Sequence, residues 1–143
     1  NDRSQILAVA NGEADIAIAN TYYIGLMLSG EKGVEQKNAA EKVSMIFPGQ
    51  ADTGTHINIS GVGILKNAPN PSNAEKLIEY LLTDKIQKHI VENTYEYSIK
   101  RNIMPSKIIA KFGTNFKTDE TYASEFGKFN AEAVRLMDRA GWR

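Results

Sequence analysis

Two tyrosines stand side by side in the stretch Ala19-Asn20-Thr21-Tyr22-Tyr23. An ionised phenol is a hard, anionic oxygen donor, the kind of ligand that ferric ion prefers. A free phenol ionises only near pH ~10. A bound trivalent cation dominates the local field and can displace the phenolic proton at neutral pH. Adjacent residues point to opposite faces of a strand and diverge by about 100° around a helix. The pair can therefore serve one ion only where the backbone turns from one kind of element into the other. By residue type and spacing alone, packed rings and hydrogen-bonded hydroxyls are the commoner use of such a pair.

The elements around the pair set it at such a turn. Gln5 to Ala10 reads as a helix, with Ile6, Val9 and Ala10 on one face, Asp2 or Ser4 as its cap and Gly12 at its end. Asp15 to Asn20 reads as a short buried strand of small apolar residues, and Thr21 to Ser29 as the helix that follows it. Tyr22 and Tyr23 then lie just past the carboxyl end of a strand, where open α/β sheets bind ligands. The N–H groups of the next helix face the same space and favour an anion there. Glu31 to Lys42 is polar, an exposed loop or short helix.

Val43 to Phe47 reads as a second strand, stopped by Pro48-Gly49. Thr55 to Leu65 is a third β-rich stretch, in which His56, Asn58 and Ser60 alternate with Ile57 and Ile59. After the linker-like Asn67 to Ser72, a long helix is capped by Ser72 or Asn73 and carries Leu77, Ile78, Leu81 and Leu82 as its apolar stripe. A further helix covers Asp84 to Glu92, with Ile86, Ile90 and Val91 inward. Tyr95 to Ile99 is a short strand or an extended segment. Ser124 to Ala140 is the last helix, with Phe126, Phe129, Ala133, Leu136 and Met137 inward and Trp142 anchoring its end. Helices alternating with strands predict the α/β class, with helices packed on a mixed β-sheet.

The bulk properties exclude several functions. The 143 residues carry 17 basic and 17 acidic side chains. The zero net charge provides no field for nucleic acid or for an anionic membrane. With no cysteine, there is no disulfide, zinc–thiolate site, iron–sulfur cluster or cysteine nucleophile. No run approaches the ~20 apolar residues of a membrane span. His56 and His89, the two histidines, lack the paired spacing of a zinc site. No nucleophile elbow, phosphate loop or placed carboxylate pair occurs, so the chain is not read as an enzyme.

Gln5 through Tyr23, Gly54 through Ile64, and Ala68-Pro69-Asn70-Pro71-Ser72-Asn73-Ala74 with its long helix resemble the bacterial periplasmic ferric-ion-binding proteins. These are the solute receptors of ABC iron importers, with the bilobed type II periplasmic binding fold. The resemblance runs along essentially the whole chain, and its specific part is Asn-x-Tyr-Tyr. It implies that Tyr22 and Tyr23 are iron ligands and that Asn20 helps hold an anion, such as carbonate, that completes the coordination. Asp2 falls near a second anion-side position, where the family leads one to expect Asn.

The resemblance further implies the C-terminal half of a longer receptor. Residues 1–55 would belong to the tyrosine-bearing lobe, and residues 56–143 would form a hinge strand and return to the other lobe. The remaining half would supply a further tyrosine, a His or acidic ligand and an anion-binding Arg. The expected function is capture of Fe(3+) in the periplasm and delivery to an ABC transporter permease. The alternatives are a receptor for an inorganic anion or small organic solute on the same fold, and an inactive fragment.

Overall fold

The computed structural model describes residues 1–142. Arg143, the last residue of the expected second segment, lies outside the described residues. Seven helices are described: α1 Asp2–Ala10, α2 Thr21–Leu28, α3 Val34–Ala40, α4 Pro71–Leu81, α5 Asp84–Thr94, α6 Lys107–Ala110 and α7 Ala123–Arg139.

Among the described residues the expected mixed sheet is absent, and the α/β class is corrected. Among the described residues there is no strand, and one isolated parallel bridge joins Thr55 to Thr118. The stretches 15–20, 43–47 and 55–65 lie outside any helix or ladder. Ile16, Ile18, Ile46, Ile59 and Leu65 on them are exposed. Alternating or apolar residues make a segment fit for a sheet, but a strand exists only when a second backbone supplies its hydrogen bonds. Among the described residues only Thr55 receives them, its N–H donating to the Lys117 carbonyl at 2.9 Å and its carbonyl accepting from the Asp119 N–H at 2.8 Å, and the pairing goes no further.

Capping explains several helix boundaries. Asn1 caps α1, its Oδ1 accepting from the Ser4 N–H at 3.1 Å. Neither Asp2 nor Ser4 plays that part, because both lie inside the helix. Pro71 opens α4 with Asn70 at the cap, so Ser72 and Asn73 are also interior. Proline fits a first helical position, where its missing N–H has no intrahelical acceptor to satisfy. Predicted apolar faces fare unevenly. Ile6 and Val91 are buried, whereas Leu77, Leu82, Phe126, Phe129, Leu136, Met137 and Trp142 are exposed. Helical period sorts side chains onto a face; it does not provide a partner for that face.

The described residues group into two compact units. The first unit is Asn1–Ile46 with Asn58–Asn115. In it α1 packs on α2 and α3, and α2 packs on α3 and α6. Ile6, Ile24, Met27 and Ala40 form its core, with Leu7, Tyr23, Leu28, Val43, Met45 and Phe112 packed around them. Buried Gln87 ties α5 to the end of α4 and to the segment that follows α5: its Nε2 donates to the Leu81 carbonyl at 3.0 Å, and its Oε1 accepts from Ser98 Oγ at 2.8 Å. The second unit is Phe47–Ile57 with Phe116–Arg143. There the rings of Phe47 and Phe116 stack at 4.0 Å, and Gln50 exchanges hydrogen bonds with the Lys117 backbone.

Gly25, in the middle of α2, is a position where the absence of a side chain is required. A Cβ there would stand 2.6 Å from Tyr95 Cβ and 2.9 Å from Tyr95 Cγ. Tyr95 cannot easily withdraw, since it caps α5 at φ 61 and its phenol donates to Glu31 Oε1 at 2.6 Å. Gly25→Ala is expected to lower stability by about 1 kcal/mol. Overpacking at about 1–3 kcal/mol outweighs the roughly 1 kcal/mol that alanine gains in a helix. Urea unfolding checks this; a variant as stable as the parent would show that Tyr95 moves aside freely.

Candidate metal centre

Tyr22 and Tyr23 occupy the first turn of α2, and both are half-buried. The turn brings adjacent side chains together: their ring centroids lie 4.4 Å apart with planes inclined by 37°. The extended segment before the helix and the turn after it supply the change of direction that two neighbouring ligands need. Tyr23 also packs against the core around Ile6, Ile24 and Met27, so the pair stands on a rigid base.

The electrostatics of the pair keep the Tyr22 proton in place. Its pKa is pushed up to about 12, first by the hydrogen bond with Tyr23. Partial burial and the charges of Tyr23, Asp2 and Glu96 act in the same direction. Oxygen-rich side chains surround the pair. Asp2 Oδ2 accepts from the backbone N–H of Asn20 at 2.9 Å and from its Nδ2 at 3.0 Å. Asn58 Nδ2 donates to Asn20 Oδ1 at 2.8 Å. Ser60 Oγ donates to Glu96 Oε1 at 3.3 Å, and Thr94 Oγ1 donates to Glu96 Oε2 at 3.1 Å. Every donor atom for a cation here is oxygen, which selects hard ions. Among the described residues no group of three or more His, Cys, Asp or Glu is placed to hold a metal.

The remaining candidates are placed elsewhere or used structurally. His56 sits against the Phe126 ring at 5.4 Å. His89 is exposed and shares a contact with Asn93. Tyr95 is a buried packing residue and Tyr122 is 80% exposed. Burial pushes the Tyr97 phenol up. A groove of about 330 Å³ between Leu28, Val43, Ile108 and Phe112 shares no residue with the tyrosine cluster.

Asn20 was legible in the sequence; its partners were not. Asp2 and Asn58 lie 18 and 38 residues away from it. The alternation of Asn58 and Ser60 with isoleucines marked a polar face without saying what that face meets.

The family model described as "Bacterial extracellular solute-binding protein" matches residues 1–88. Iron uptake protein A1 of Synechocystis sp. is 44% identical over 143 residues, covering 100% of this chain and 39% of that protein. A Trichodesmium protein (IdiA, FutA) solved in complex with iron and citrate ligands superposes with a TM-score of 0.92 at 45% identity. The match covers 100% of this chain and 45% of that one. The ferric binding protein from Campylobacter jejuni superposes with a TM-score of 0.90 at 38% identity, again covering 100% and 45%. The chain thus spans about two-fifths of the length of the curated relatives it matches.

Proposed function

The chain belongs to the bacterial extracellular solute-binding protein family, and from that premise we propose that it serves a ferric-ion receptor of an ABC importer. Tyr22 and Tyr23 are the proposed iron ligands, binding as phenolates. Asn20 is the proposed contact for a synergistic anion, using whatever donor capacity its bonds to Asp2 leave. The observation that carries the reading is the convergence of the two rings at 4.4 Å on the first turn of α2. Relatives named for iron uptake and ferric binding support it.

The receptor so proposed works in the periplasm and passes Fe(3+) to a membrane permease. Further ligands come from parts of the relatives that this chain does not match. Closure of two lobes about the ion is the proposed conformational step. In that scheme residues 1–55 belong to the tyrosine-bearing lobe, and residues 56–143 carry the hinge and the return. The protein acts as a carrier and not as a catalyst.

Ferric titration followed by visible absorbance is the direct test, because ferric phenolates are coloured. A colourless protein with no tyrosine-dependent binding would refute the iron reading and leave a receptor for an anion or organic solute.

The pH dependence has a definite sign. The Tyr22 pKa of about 12 means that the phenol is protonated throughout the neutral range. Binding as phenolate must release that proton, so protons compete with iron and affinity falls as pH falls. Each ligating phenol contributes about tenfold per pH unit, and two give on the order of 100-fold. Competition against a chelator of known pH dependence, between roughly pH 8 and pH 6, measures this. An affinity independent of pH would be incompatible with phenolate ligation.

A further inference from the structure

We propose that Asp2 is a positioning residue for the tyrosine pair, acting through Asn20; the proposal rests on the ferric-ion reading of Tyr22 and Tyr23. Asn20 stands at the cap of α2, with φ −73 and ψ 142. Asparagine at a cap normally turns its side-chain oxygen onto the first N–H groups of its own helix. Here it makes no such bond. Its Oδ1 accepts instead from Asn58 Nδ2 at 2.8 Å. Its backbone N–H and its Nδ2 both donate to one oxygen of Asp2, at 2.9 and 3.0 Å.

This arrangement differs from the cap role that residue 2 would have by sequence. Asn1 caps α1, which leaves the Asp2 carboxylate to hold a residue 18 positions later. Hydrogen bonds to a carboxylate are stronger than those between neutral groups. Two of them on one oxygen fix both the backbone and the side chain of Asn20. The next two residues but one are the tyrosines, so the direction in which α2 starts, and hence where both phenol oxygens point, is set from α1. Asn58 extends the same line to the 55–65 segment. Outer partners of this kind orient ligands and govern metal affinity without touching the metal.

The test is a double-mutant cycle on ferric binding, with hydrogen exchange as a metal-free readout. Asp2→Ala is expected to weaken ferric binding roughly 10- to 100-fold. The visible band still forms at saturating iron, because both phenols remain. Asp2→Asn keeps one acceptor oxygen and recovers most of the affinity. In an Asn20→Ala background, adding Asp2→Ala costs less than it does in the parent, since the bond to the residue 20 side chain is already gone and only that to its backbone N–H remains to be lost. In the metal-free protein, Asp2→Ala speeds exchange of the Asn20 amide. Full, independent losses in the cycle would overturn the proposal, as would unchanged exchange at Asn20. Wild-type protein that binds no ferric ion overturns the ferric reading and this role together. Wild-type protein that binds it, with Asp2→Ala matching it in affinity, overturns the role of Asp2 alone.

Discussion

Tyr22→Phe and Tyr23→Phe are each expected to weaken ferric binding by at least about 100-fold, and the double variant to lose the visible band. Phenylalanine keeps the ring and removes only the oxygen. The substitution therefore isolates ligation from packing, which matters most at Tyr23, whose ring rests on the core of Ile6, Ile24 and Met27. Loss of outer-sphere partners already costs roughly 10- to 100-fold in metal affinity, and an anionic ligand bound to the ion contributes more. Tyr23→Phe also removes the hydrogen bond between the phenols that holds the Tyr22 proton. Iron titration against a competing chelator gives the affinities, and the thermal midpoint shows whether the fold is intact. Two single variants that keep both colour and affinity would end the assignment.

Met27→Ala is expected to be the most destabilising single truncation near the site, by about 2–5 kcal/mol. Met27 is 0% exposed and lies in the core cluster with Ile6, Ile24 and Ala40. It belongs to the same helix as the tyrosines and holds that helix against α1 and α3. A cavity there removes contacts from three helices at once, and close-packed surroundings collapse only partly into the space. For a domain whose net stability is about 5–15 kcal/mol, that is a large share. Urea unfolding with an unchanged slope measures it. A loss below about 1 kcal/mol would show that the platform beneath the tyrosines is loosely packed.

The helices were the legible part of the fold. Thr21 to Ser29 reads as a helix ending at Gly30, within one residue of the observed α2, and α5 and α7 follow from their period. The sheet was not obtainable in the same way. Residues 15–20, 43–47 and 55–65 carry the composition of strands, yet helical hydrogen bonds close within a segment whereas strand hydrogen bonds need another one. The exposed Phe129 and Leu136 on α7 make the same point for side chains. A face can be written into a sequence without the surface that would cover it.

The site divides along the same line. By itself the sequence determined the donor chemistry: two adjacent phenols, an asparagine two residues before them, and no thiol or histidine pair to compete. Those are properties of residue type and local spacing. Only the tertiary structure decided that the rings converge at 4.4 Å, that Asp2 leaves capping to Asn1 and grips Asn20, and that Asn58 and Glu96 join the cluster. The ring convergence and the Asn1 cap are local, but the contacts of Asp2, Asn58 and Glu96 depend on segments far apart in the chain being brought together. No local pattern encodes such a meeting, because hydrophobic burial is non-directional and acts on the chain as a whole.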